Sequence, residues 1–287
     1  MDLNRIGIVG CGTMGSAMAQ RWVTTGTVQR EHIVACTATP DGSRKVMDQL
    51  GILCGTSCLA VVEAADVVVL GVKPQHLDAL LPSLGMHARP GQVWLSILAG
   101  VTTKRLEAGL PPETQVVRCM PNTPSRLGLG IVAVAPGAHA SPGAVARVRQ
   151  LVEPLGLAID LPEHRMDAFT SVAGSGPAYV FLFLEAMARA AQAEGFEPEL
   201  ARELALRVLL GAGELARVDG RDPAKLRADV TSRRGVTEAA LSVLAEAGWA
   251  DTMVKAVATG RLRSSELAGH TPTRHSASEI LQYMDRR

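Results

Sequence analysis

Six short apolar runs, each separated from the next by a stretch suited to a helix or loop, constrain this chain more than any other feature. They are Arg5-Ile6-Gly7-Ile8-Val9, His32-Ile33-Val34-Ala35-Cys36, Asp66-Val67-Val68-Val69-Leu70, Val93-Trp94-Leu95-Ser96-Ile97, Gln115-Val116-Val117-Arg118-Cys119 and Gly130-Ile131-Val132-Ala133-Val134. Strands that are apolar on both faces need helices above and below them, which is the arrangement of a parallel sheet. Helical patterns such as Met14 to Thr25 lie between the runs. After Leu161-Pro162 the β signal ends and Ala/Leu/Glu/Arg-rich helical patterns take over. The expected fold class is therefore α/β, a doubly wound parallel sheet over 1–161 followed by an all-α domain over 162–287.

Within the second part, Pro198 opens a helix that Gly220 would stop. Thr237 to Ala247 and Asp251 to Ser264 follow as further helices, the latter ahead of a polar tail. These helices are too apolar to remain a solvated layer, so the all-α part is expected to be a dimerisation domain. Composition narrows the partners. Lys plus Arg number 29 against 28 for Asp plus Glu, and aromatic residues are 3% of the chain, so neither phosphate attraction nor base stacking favours nucleic acid. The five cysteines, Cys11, Cys36, Cys54, Cys58 and Cys119, are odd in number and contain no Cys-x-x-Cys pair, which points to reduced thiols and no metal site. With no basic-then-apolar leader and no apolar run long enough to span a bilayer, the expectation is a cytoplasmic protein without membrane contact.

Gly10-Cys11-Gly12-Thr13-Met14-Gly15 follows the first strand and enters a helix. Gly10 suits the tight turn, Gly12 the approach of a pyrophosphate to backbone, and Gly15 close helix-to-strand packing, with Thr13 and Met14 between them. The motif makes 1–161 a Rossmann-type dinucleotide-binding domain. An NAD site usually ends the second strand with Asp or Glu. Here Cys36-Thr37-Ala38-Thr39-Pro40 stands there, with Ser43, Arg44 and Lys45 beyond, so NADP(H) is preferred through Thr37, Thr39 and Arg44 while NAD(H) stays possible. Val72-Lys73-Pro74-Gln75 ends another strand on the same ligand-binding edge. Lys73 is either an anion contact or a solvated side chain. Met120-Pro121-Asn122-Thr123-Pro124 has the same kind of position and is either a cofactor loop or a rigid turn.

Gly174-Ser175-Gly176-Pro177-Ala178-Tyr179 opens onto Val180-Phe181-Leu182-Phe183-Leu184. Its glycines and Pro177 read as a helix start, with unpaired amides forming a donor-rich pocket.

Taken in order, these motifs, with Asp167-Ala168-Phe169-Thr170 and Asp229-Val230-Thr231-Ser232, resemble the pyrroline-5-carboxylate reductase family over about residues 5 to 268. The resemblance implies NAD(P)H-dependent reduction of 1-pyrroline-5-carboxylate to L-proline, the last step of proline biosynthesis, with no metal. It also implies helices interlaced into a homodimer, which in the family often assembles into a larger ring of dimers. It places cofactor contacts at Val72, Lys73, Pro74, Ala99 and Asn122 beside the glycine motif. It places the substrate between Val172, Ala173, Gly174, Ser175 and Gly176 on one side and Ser232, Gly235, Val236 and Thr237 on the other. Ser232 and backbone amides near Gly235 and Val236 would hold the carboxylate. Thr237, the catalytic candidate, would relay a proton to the ring nitrogen or only orient the ring.

This chain also departs from the family. Thr231-Ser232-Arg233-Arg234-Gly235-Val236-Thr237 puts Arg234 where the family has glycine, Ala173 replaces a serine, and Cys58 replaces an asparagine that often faces the nucleotide. Either both arginines point away and the usual activity persists, or a guanidinium enters the pocket and selects a related cyclic imino acid. A dinucleotide-binding protein weakened in catalysis is the remaining alternative.

Overall fold

The computed structural model describes residues 5–267. These form two compact units, 5–175 with 260–267, and 176–259. The expected polar tail lies outside the described residues.

The first unit is built on one eight-stranded sheet, with strands β1 (Ile6–Val9), β2 (Ile33–Cys36), β3 (Leu53–Gly55), β4 (Val67–Leu70), β5 (Val93–Ser96), β6 (Gln115–Met120), β7 (Gly130–Pro136) and β8 (Gly156–Asp160). Their spatial order is β3-β2-β1-β4-β5-β6-β7-β8. β1, β2, β4 and β5 are buried along their whole length, as continuous apolar runs require. Six helices cover the two faces: α1 (Thr13–Thr25), α2 (Pro40–Leu50), α3 (Cys58–Ala64), α4 (Leu77–Met86), α5 (Thr103–Ala108) and α6 (Pro142–Val152). One face packs Met18 and Trp22 of α1, Leu50 of α2 and Leu151 of α6 against Ile6, Ile8 and Val69. The other packs Val62 of α3, Leu81 of α4 and Leu106 of α5 against Val9, Val68 and Trp94. The indole of Trp22 donates to the Leu151 carbonyl at 2.6 Å, tying α1 to α6.

The doubly wound sheet expected from the sequence stands, with one difference. β7 runs antiparallel to β6, and β8 follows β7 in parallel, so the last two strands oppose the other six. A parallel return would need a crossover of a dozen or more residues, and the segment between Met120 and Gly130 is shorter than that. β3 and β8 are additional to the six strands read from sequence.

Past β8 the chain enters α7 (Met166–Phe169), then a wide π-helical turn over Thr170–Gly174, then α8 (Gly176–Ala193). Arg118, buried in β6, donates to Glu163 just before α7 at 2.6 Å. Asp167 of α7 accepts from the hydroxyls of Ser264 and Ser265 at 2.8 and 2.9 Å, which anchors the returning chain end to the first unit. The run Glu163–Ala193 is by length and composition apolar enough to cross a membrane, which corrects the expectation that no such run exists. The charge-poor segment before Glu185 is what raises its hydropathy.

The second unit contains α9 (Pro198–Asp219), α10 (Pro223–Asp229), α11 (Val236–Glu246) and most of α12 (Trp249–Leu267), packed with α8. Gly220 closes α9 in the left-handed region, as its sequence position predicts. Apolar side chains remain exposed here, among them Phe181, Leu182, Val208, Leu215 and Trp249.

Candidate active site

β1 lies between β2 and β4, so the chain leaves the sheet in opposite directions at its carboxyl edge and a crevice opens there. Gly10 makes the turn out of β1 with φ +91°, and a Cβ at this position would sit 2.6 Å from the Val72 amide nitrogen. The amides of Gly10 and Cys11 both donate to the Cys36 carbonyl, at 3.1 and 2.8 Å, and Gly12 donates to Gly10. Gly12 precedes α1 with no side-chain cap, which leaves the first-turn amides of Thr13, Met14 and Gly15 without intrahelical acceptors. A Cβ on Gly12 would meet nothing within 4 Å, whereas one on Gly15 would lie 3.1 Å from Ile8. Open backbone and oriented donors at a helix N-terminus are what a pyrophosphate requires.

The crevice is a cavity of about 600 Å³ lined by Gly10, Gly12, Thr37, Val72 and Lys73 of the residues named from sequence. It is also lined by Lys45, Thr56, Cys58 and His76, and among the described residues no carboxylate lines it. Arg44, the cation chosen from sequence, is exposed and pairs with Asp41 at 3.7 Å outside the cavity lining. The next residue of the helix, Lys45, takes the place facing the cavity. One residue turns a helix by about 100°, so the register of α2 was the signal that separates the two. Thr39 does not line the cavity; its hydroxyl accepts from Gly42 and caps α2. Pro74 opens a short 3-10 turn after Lys73, and Ala99 lies half-buried after β5.

The Gly174-to-Tyr179 element differs in part from its sequence reading. α8 starts at Gly176 with Pro177 in its first turn, as expected, but a π turn runs directly into it and takes up the Ser175 amide. The Ser175 amide donates to Thr170 at 2.9 Å, the bond that closes the π turn. Pro177 explains this geometry. It has no N–H for the Ala173 carbonyl four residues back, and a wide turn gives its ring room. The Ala173 carbonyl accepts instead from the side-chain amide of Asn122 at 3.0 Å, while the Asn122 carbonyl oxygen accepts from the Ile131 amide at 3.1 Å. Asn122 is therefore a strut between the β6–β7 loop and the wall carrying Ala173 and Gly174. Val172 is exposed, and Ala173, Gly174, Ser175 and Gly176 are half-buried.

In the second unit, Ser232 to Thr237 forms a tight turn into α11. The Gly235 amide donates to the Ser232 carbonyl at 3.0 Å, so the donors left by this turn are the first-turn amides of Val236 and Thr237. Ser232 and Val236 are exposed and Thr237 is half-buried. Arg234 adopts φ +53°, the left-handed conformation its replacement of glycine had brought into question. Its amide donates to Glu238 at 2.6 Å, which holds the turn in place. Arg234→Gly should therefore stabilise the protein by about 1 kcal/mol, the steric cost of this conformation for a side chain. An unchanged or lower midpoint in urea unfolding would contradict this.

Residues 163–267 match the family described as pyrroline-5-carboxylate reductase dimerisation, and residues 5–100 match one described as NADP oxidoreductase coenzyme F420-dependent. A pyrroline-5-carboxylate reductase of Methanosarcina acetivorans is 35% identical over 267 residues, covering 93% of this chain and 99% of the relative. The chain belongs to the pyrroline-5-carboxylate reductase family. Its relative in Pseudomonas aeruginosa, with the same name, is 36% identical over 93% of this chain and 98% of its own. A solved pyrroline-5-carboxylate reductase structure from Coxiella burnetii superposes with a TM-score of 0.84 at 28% identity, covering 93% of this chain and 99% of that one. Membership of the family thus extends through both units and their helical junction.

Proposed function

We propose that this protein reduces 1-pyrroline-5-carboxylate to L-proline with NADPH in preference to NADH. The observation that carries the reading is a family relationship spanning nearly the whole chain, nucleotide crevice and helical domain together. The crevice fits the cofactor: uncapped first-turn amides of α1, open space over Gly12, and two lysines with, among the described residues, no lining carboxylate. Thr13 to Gly15 would hold the pyrophosphate, Thr37 the ribose, Lys45 its 2′-phosphate, and Val72 and Lys73 the opposite side. Bound there, the nicotinamide supplies the hydride that reduces the C=N carbon.

The remaining chemistry belongs to the protein. A cyclic imine carries its own activating proton on nitrogen near neutral pH, so the protein chiefly orients the ring and holds its carboxylate. The amides of Val236 and Thr237 with the Ser232 hydroxyl are the carboxylate donors. The Thr237 hydroxyl orients the ring nitrogen. In the first unit, the Asn122 side-chain amide holds the Ala173 carbonyl of the π turn over Thr170–Gly174.

The same reading includes a homodimer. Exposed Phe181, Leu182, Val208 and Val243, and an apolar cavity lined by Phe183, Met187, Leu241, Leu244 and Trp249, need cover that a second copy of the dimerisation domain provides. A second copy also gives the apolar run Glu163–Ala193 a cover other than lipid.

The substrate is tested by offering five- and six-membered cyclic imino acids under identical conditions. Pyrroline-5-carboxylate is expected to give the largest kcat/KM; a six-membered or dicarboxylate imine that surpasses it would assign Arg233 and Arg234 to selecting a different substrate. For the cofactor, Lys45→Ala should raise the KM for NADPH about tenfold and leave that for NADH within twofold, since only the former carries the 2′-phosphate. Equal effects on both would remove Lys45 from that role.

A further inference from the structure

Cys36 ends β2 at the floor of the nucleotide crevice, and Cys58 begins α3 on its rim. Although 22 positions apart, their sulfurs are in contact, the Cys36 thiol donating to Cys58 Sγ at 3.3 Å. Cys36 is fully buried, Cys58 is half-buried, and both side chains belong to residues lining the cavity. The Cys36 carbonyl is also the acceptor for the Gly10 and Cys11 amides, so a pull on Cys36 is a pull on the phosphate turn. Of the other thiols nearby, Cys11 faces the Ser16 hydroxyl at 3.5 Å and Cys54 the Gly55 carbonyl at 3.9 Å. A disulfide needs sulfurs at about 2.05 Å, so the pair has to close from its 3.3 Å contact through side-chain rotation and whatever shift of α3 that demands.

We propose that Cys36 and Cys58 are a peroxide-sensitive dithiol, and that their disulfide and the bound nucleotide exclude one another. The roles within the pair follow from their surroundings. The hydrogen bond from Cys36 brings the Cys58 thiol down to about 7, against the opposing effect of burial. The same hydrogen bond, with burial, pushes Cys36 up. Cys58 is accordingly the thiolate that meets the oxidant, and Cys36 resolves it. The Cys58 thiolate attacks a hydroperoxide oxygen, breaking the O–O bond and leaving Cys58 as sulfenic acid and the distal oxygen as hydroxide. Cys36 sulfur then attacks Cys58 sulfur; the S–S bond forms, the S–O bond breaks, and water departs with the Cys36 proton. The pair loses two electrons and hydrogen peroxide is reduced to water. Closing the bond draws α3 and the end of β2 together across the crevice.

This inference rests on the crevice being the nucleotide site, and the test separates the two. The reduced full chain is first titrated with NADPH; failure to bind overturns the nucleotide reading whatever the thiols do. It is then treated with a few equivalents of hydrogen peroxide, with and without saturating NADP+, and mapped as unreduced peptides. The expected result is a linked Cys36–Cys58 peptide pair, at least a tenfold weaker affinity for NADPH, recovery with dithiothreitol, and a disulfide that forms several-fold more slowly under NADP+. Cys58→Ser and Cys36→Ser are each compared with themselves before and after peroxide, and the ratio of affinities is expected to stay within twofold. Oxygen added to Cys58 without a link, a link that leaves NADPH affinity unchanged, or a Cys58→Ser variant equally sensitive to peroxide would overturn the proposal.

Discussion

Gly12→Val should abolish measurable nucleotide binding while leaving the fold intact. The backbone at Gly12 is extended, with φ −83° and ψ −154°, so a side chain there does not need the left-handed conformation. A Cβ there meets no atom within 4 Å beyond its chain neighbours, so the side chain leaves the backbone into open space. What it fills is the space through which a pyrophosphate must reach the amides of Thr13 to Gly15. Displacing the anion by the breadth of an isopropyl group removes those charge-assisted hydrogen bonds, each worth about 1.5–3 kcal/mol. Two such bonds correspond to a loss of at least about 100-fold in affinity. Thermal unfolding of the nucleotide-free protein should shift by no more than about 2 °C, because the folded contacts are unaltered. Gly10→Ala should behave in the opposite way. At φ +91° and 2.6 Å from the Val72 nitrogen, its Cβ strains the turn and lowers stability as well as binding. Calorimetric titration and thermal melts of the two variants separate these effects; a Gly12→Val protein that binds NADPH normally would place the pyrophosphate elsewhere.

Asn122→Ala should destabilise the protein by about 2–6 kcal/mol and reduce turnover. Asn122 is buried, and its side chain satisfies the Ala173 carbonyl and the Ile131 amide at once. Truncation leaves both without their partner, at about 1–3 kcal/mol each. Asn122→Asp distinguishes the two bonds: its carboxylate can still accept from Ile131 but opposes the Ala173 carbonyl. If the strut sets the shape of the substrate wall, Asn122→Asp should lose kcat more than affinity for NADPH. Equal loss of both would return Asn122 to the cofactor contacts expected from sequence. Denaturant unfolding and steady-state kinetics are the two measurements.

What the sequence made legible was burial; what it hid was direction and partnership. Ile6–Val9 and Val67–Leu70 announce themselves because both faces are buried. Leu53–Gly55 has only three residues with exposed ends, and Gly156–Asp160 is an edge strand that is nowhere fully buried, so neither has a continuous apolar run. The reversal of β7 was readable from the short connection after Met120, a constraint of chain length that apolar patterning ignores. At the site, the three glycines occupy the turn, the open face and the packing contact that their spacing implied. The Gly174-to-Tyr179 element marks the start of α8, as its glycines and Pro177 imply; the π turn that runs into that start, braced by Asn122, has no such local signature. The contact between Cys36 and Cys58 joins the ends of separate elements and has no local signature.

As proposed, this chain transfers hydride from a nicotinamide to the ring carbon of a cyclic imino acid. Pyrroline-5-carboxylate should be reduced with NADPH carrying deuterium at nicotinamide C4, on each face in turn, and the product analysed by mass spectrometry and NMR. One of the two labelled cofactors is expected to give L-proline with one deuterium, at C5, for each nicotinamide oxidised. Nicotinamide oxidation without proline, or proline unlabelled at C5 from both cofactors, would contradict it.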